Sequence, residues 1–171
     1  GAVVIPTAGP FPYTTSVVTL TNATDAGDPV STCQSNSHKG VWFTFTPPVT
    51  GSYTISSCQS DAAGSTVSDN ILGIYTSAAG CAGTFTEVIC DDDGCTTLGL
   101  QALATTTLNC GTTYYILVSA YNTSTGDVQL KVTAPTCTVA AFNVTGGGTY
   151  CAGGSGVSVG LSGSAPCTNY Q

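Results

Sequence analysis

The sequence predicts an all-β chain: an antiparallel β-sandwich or jelly roll over residues 1–134, with a C-terminal β-hairpin-like extension over 135–171. Three observations carry this. Short segments alternate apolar and polar residues, the two-residue period of a strand with one buried face. Gly, Pro, Asn and Ser separate these segments at short intervals. Leu and Ala never recur at helical spacing with charged partners for more than a turn, so no amphipathic helix is expected.

The segments follow in order. "SVVTL" (16–20) is a first strand. "GVWFTFTP" (40–47) puts Val41, Phe43 and Phe45 on one face, and "GSYTISSC" (51–58) turns Tyr53 and Ile55 inward. Joined by a Pro-Pro-Val-Thr-Gly turn, this pair reads as a hairpin. "DNILGIYTS" (69–77), "TFTEVICDD" (84–92) and a stretch around Leu98 to Leu103 come next. "GTTYYILVSAY" (111–121) is densest in aromatic and β-branched residues. In "DVQLKVTA" (127–134), Val128, Leu130 and Val132 point in, while Gln129 and Lys131 point out. Past "APTC" the texture changes. "TVAAFNV" (138–144) and "GVSVGLSGS" (156–164) are two further strands joined by a glycine-rich connection. Ala140, Phe142 and Val144 form one apolar stripe, and Val157, Val159 and Leu161 another. Two strands alone are marginal in water, so this extension is not expected to be a self-sufficient domain.

Composition narrows the function. Only 6% of the residues are charged and the net charge is −7, with two lysines, Lys39 and Lys131, as the whole basic complement. That excludes a nucleic-acid binder, which needs a basic face. No run of 18 apolar residues is present, so no membrane span is expected. The 30 Thr and 17 Ser make a surface with little charge to keep sheet edges apart, as suits a protein that carries glycans or assembles. Sequons stand at Asn22, Asn122 and Asn143. The chain has no Met, so Gly1 is expected to follow a cleavage.

Nine cysteines are dispersed along the chain without the paired spacing of a zinc module, which predicts disulfides in an oxidising compartment and at least one leftover thiol. Cys33, Cys58, Cys81, Cys90, Cys95 and Cys110 are the disulfide candidates within the sandwich. Pairing cannot be deduced from spacing; Cys81 with Cys90, and Cys95 with Cys110, are the expected staples around "CDDDGC" (90–95). That motif has two readings. Asp91, Asp92 and Asp93, joined by Asp69, offer hard oxygens to calcium; alternatively they are a solvated acidic turn. A CxxxxC spacing with no nearby cation does not favour redox chemistry. One histidine, His38, and no G-x-S-x-G leave no catalytic constellation, so no enzyme is expected. Trp42, the lone tryptophan, is either a core residue or an exposed sugar platform.

Two stretches carry a family resemblance. "VWFTFTPPVTGSYTISSC", "DNILGIYTSAAGC", "EVICDDDGC" and "LNCGTTYYILVSAY" with "GDVQLKV" resemble, in order and spacing, the bacterial pre-peptidase C-terminal domain, an accessory β-sandwich of secreted proteins. "FNVTGGGTYCAGGSGVSVGLSGS" resembles the start of an immunoglobulin-like repeat in surface proteins of Bacteroidota. The resemblance implies an extracellular or cell-surface role without catalysis, and calcium or collagen as ligands of some related domains.

Two functions fit. One is a secreted structural subunit of a filament or adhesin, a homopolymer held by strand addition and disulfides. The other is an accessory domain of a larger secreted enzyme, binding carbohydrate or protein, with glycans or a host surface as partners.

Overall fold

The computed structural model describes residues 1–97 and 99–136, together with the backbone of 144–146 and 159–161. The chain divides into two compact units, 1–135 and 136–171.

The first unit is an all-β sandwich. One sheet has five strands in the order β1 (Val3–Ile5), β4 (Ser37–Phe45), β9 (Tyr114–Tyr121), β6 (Asn70–Ser77) and β7 (Phe85–Asp91). The facing sheet has four: β2 (Tyr13–Thr14), β11 (Lys131–Thr133), β5 (Gly51–Ser56) and β8 (Leu103–Leu108). A short ribbon of β3 (Val18–Thr19) with β10 (Asp127–Val128) completes it. Pairing is antiparallel throughout these sheets except at one edge, where β1 runs parallel to β4 with Val3 opposite Phe43. The only helical turn in the described residues is a 3₁₀ turn, Gly80–Ala82, and no helix there is long and apolar enough to cross a membrane.

The inward faces follow the alternation. Val41, Phe43 and Phe45 of β4, Leu72 and Ile74 of β6, and Ile116 and Val118 of β9 meet Tyr53 and Ile55 of β5 and Val132 of β11. Phe45 and Tyr53 pack edge to face across the sandwich at 5.3 Å between ring centroids, and Phe11 closes their end at 5.9 Å from Phe45.

Several expectations are corrected. β4 and β5 are not a hairpin: they lie in opposite sheets, and Pro47–Pro48 carries the chain between layers. Alternation fixes which face a residue occupies but not which strand it pairs with. The strand expected around 98–103 lies at Leu103–Leu108, and of the described residues before it Leu100 forms an isolated bridge with Asp69. The segment "GAVVIPTAGPFPY" supplies β1 and β2, filling one edge of each sheet.

In the second unit, β12 (Val144–Gly146) pairs antiparallel with β13 (Val159–Leu161), Val144 opposite Leu161 and Gly146 opposite Val159. The earlier strand expected at 138–144, with Ala140 and Phe142, lies outside the described residues, as do Asn143 and Val157.

Candidate functional site

Residues 25–36 form a strap across the outer face of the five-stranded sheet, and two candidate sites sit at its ends. The strap is tied down strand by strand. Asp28 Oδ1 accepts from Trp42 Nε1 of β4 at 2.8 Å. The Ser31 and Tyr75 hydroxyls share a buried hydrogen bond at 2.9 Å over β6. Glu87 of β7 accepts from the Thr32 backbone N–H at 3.0 Å and from the Thr32 hydroxyl. Cys33 is bonded to Cys90, and Gln34 Nε2 donates to Asp92 Oδ2 at 3.1 Å.

The disulfides correct the expected staples. Cys90 pairs with Cys33 and Cys95 with Cys58, so both bridges join segments distant in sequence. Cys110 is also disulfide-bonded. Cys81 is an exposed free thiol. Cysteines as close in sequence as Cys81 and Cys90, or Cys95 and Cys110, read as local staples, but the strap and the β5 loop reach "CDDDGC" only through the folded sandwich.

At the far end of the strap lies the acidic cluster. Asp69, just before β6, and Asp92 and Asp93, just after β7, bring one carboxylate oxygen each to within 4.8 Å of the others. Burial, and then the charges of Asp92 and Asp93, push the Asp69 carboxyl above its ordinary range. Asp92 Oδ1 is buried without a hydrogen-bond partner. These oxygens suit a hard cation in kind, supplying three of the six to eight that calcium takes. Asp91 does not join them. Its Oδ1 accepts from the backbone N–H of Gly94 at 2.9 Å and of Leu103 at 2.8 Å, closing the loop and fastening it to β8.

Sequence reading missed what supports this loop. Asn70 is fully buried, and its Oδ1 accepts from the Ser57 hydroxyl at 2.9 Å and from Ala102 N at 3.0 Å. Gln101 Nε2 donates to Val67 O at 2.6 Å while its Oε1 accepts from Gln59 N at 2.7 Å. Isolated amides give no periodic signal, so nothing in the sequence marks them.

At the near end lies an aromatic cleft of about 440 Å³. Trp42 is not a core residue: it is half-buried on the outer face, stacked on Phe85 at 4.8 Å between ring centroids. Tyr115 packs edge-on to Phe85 at 5.4 Å, and buried Tyr75 lies beneath at 6.0 Å from Trp42. Asp28 forms part of the wall. Its Oδ2 is buried without a partner, and burial raises its carboxyl above the ordinary range against the lowering effect of the Trp42 bond.

The remaining candidates are surface features. His38 Nδ1 lies 3.0 Å from Asp25 Oδ2, with both side chains at least half exposed. Of the sequons, Asn22 and Asn122 are exposed.

No protein-family model matches this chain, and no curated protein matches it.

Proposed function

We propose that this chain is a non-catalytic extracellular module, a structural subunit of a bacterial surface assembly whose second unit completes its sheet on a neighbouring copy. The observation that carries this reading is the ribbon of β12 and β13, two paired strands of three residues each. A two-stranded ribbon is marginal in water without a third partner. Strand addition supplies one, and a head-to-tail contact of this kind propagates into a filament. The disulfides Cys33–Cys90 and Cys58–Cys95 support an oxidising location, and the exposed thiol of Cys81 offers a covalent link between subunits. The resemblance to pre-peptidase C-terminal sandwiches and to Bacteroidota surface repeats points the same way, and glycans on Asn22, Asn122 and Asn143 would coat the assembly.

Calcium belongs to this proposal as a brace. Held by Asp69, Asp92 and Asp93, it would offset most of the charge of three crowded carboxylates and tie the start of β6 to the end of β7. Deleting residues 137–171 tests the assembly. The whole chain is expected to form polymers under the electron microscope, and the shortened chain to stay folded and form none. Polymers of the same form from the shortened chain refute the reading.

A second reading, an accessory binding module, is favoured by the cleft of Trp42, Phe85 and Tyr115, since ligand sites are concave and lined by aromatic side chains with a few polar groups, here Asp28.

A further inference from the structure

Resting on that second reading, the chemistry of the cleft can be taken further. Its floor and one wall are aromatic: Trp42 stacks on Phe85, with Tyr115 edge-on to the pair. Aromatic faces carry negative potential and attract cations, tryptophan most strongly. The other wall carries a carboxylate, Asp28, with one oxygen on the Trp42 indole and the other buried without a donor. Gly40 makes room for it: a Cβ there would lie 2.1 Å from Asp28 Oδ2. A desolvated carboxylate beside aromatic rings is a site short of a positive charge.

The described residues do not supply that charge. Lys131 is paired with Asp61 at 3.0 Å, and Lys39 lines a different cleft. Gly1 contributes to the wall, but its amine forms no ion pair with Asp28. Residues 136–171 contain no lysine or arginine, so the tail of another copy cannot fill the site either.

The same cleft borders a sheet edge. Val3 of β1 lines it, and among the described residues β1 pairs only with β4, so no described strand takes up the N–H and C=O groups of its other edge. Val4, on the same strand, is 71% exposed. An extended polypeptide that pairs with β1 would run past the cleft mouth with its side chains at two-residue intervals.

We propose that this cleft is a docking site for a partner polypeptide other than this chain, which adds a strand at β1 and inserts a lysine or arginine side chain between Trp42, Phe85 and Tyr115 against Asp28. Backbone pairing supplies affinity regardless of sequence, and the cleft selects the basic residue. The overall charge of −7 favours the encounter with a basic partner.

Trp42 is the only tryptophan, so its fluorescence reads the cleft directly. The full chain is titrated with a soluble extended peptide of alternating Thr and Val carrying one central lysine, and with the same peptide carrying glutamine there. The lysine peptide is expected to shift Trp42 emission and to bind at least tenfold more tightly than the glutamine peptide. Asp28→Asn, which keeps an oxygen for the indole, is expected to remove that preference while leaving the melting transition cooperative. If that variant does not fold, the comparison of the two peptides on the unaltered chain decides. Equal binding of the two peptides overturns the proposal, as does an N-acetyl-lysine amide that binds as tightly as the peptide, since strand addition would then contribute nothing. A neutral oligosaccharide that moves Trp42 where neither peptide does also overturns it but leaves the binding-module reading standing; silence from every probe removes both.

Discussion

At Gly40, a Cβ would lie 2.1 Å from Asp28 Oδ2 and 2.6 Å from Leu117 Cδ1, so two side chains must move if one is added. Gly40→Ala is therefore expected to cost about 1–3 kcal/mol, the usual penalty of overpacking, measured by urea unfolding. A second alanine at Asp28 should recover part of it, because one of the two obstructing groups is then gone. The carboxylates also set a pH profile. Asp28 and Asp69 have raised carboxyls, chiefly from burial. Their protonated forms stabilise the fold, a contribution complete below the ordinary value of 3.8 and lost as pH rises through their folded values. Asp61 is lowered, first by the Ser56 hydroxyl and then by Lys131, so its contribution is present above 3.8 and disappears as pH falls through its folded value. In the presence of a chelator, stability should rise from pH 7 toward mild acid and fall again below about 3.8. Asp28→Asn should flatten the rise and leave the fall; a midpoint that declines steadily from neutrality contradicts this assignment. At this scale the sequence was legible where neighbours alternate, as at Val41, Phe43 and Phe45. It was silent on Asp28, whose role depends on Trp42 and Gly40, 12 and more residues away.

Two elements, the strap and the acidic loop, are joined to the sandwich by covalent bonds that spacing did not reveal. Cys33–Cys90 spans a sequence separation of 57 residues and Cys58–Cys95 one of 37, and each joins segments that only the fold brings together. Cys33→Ser with Cys90→Ser should lower stability by about 2–5 kcal/mol and, because the strap carries Asp28 onto the indole, should also change Trp42 fluorescence in the folded state. An unchanged emission would mean that the hydrogen bonds from Ser31 and Thr32 hold the strap alone. The acidic loop separates two kinds of aspartate. Calcium at a hundredfold excess over its Kd should stabilise by about 2.7 kcal/mol, or about 5–10 °C in Tm, reversed by chelator. Asp92→Asn should abolish that response. Asp91→Asn should lower Tm with and without calcium, since Asp91 fastens the loop to Gly94 and Leu103. A Tm indifferent to calcium leaves only a solvated turn. The short edge strands escaped sequence reading for a physical reason. β1 and β2 are three and two residues long, in a stretch interrupted by three prolines, and no period can be read from so few positions. Pro47–Pro48 misled in the opposite sense, looking like a turn while changing sheets.

Over the whole molecule, the sandwich class was legible because alternation recurs in nearly every segment of 1–135 and each inward residue type can be counted without knowing its partner. Sheet order was not, since β4 pairs with β1 and β9 from opposite ends of the unit. The proposed assembly depends on the second unit. A chain with 6% charged residues, a two-stranded ribbon and a free exposed thiol has little to keep its copies apart and several means of joining them. Sedimentation velocity of the full chain, under reducing conditions so that Cys81 makes no link, tests this most directly. Self-assembly gives species that are multiples of 17.0 kDa and grow with concentration. A single 17.0 kDa species at every concentration would contradict it.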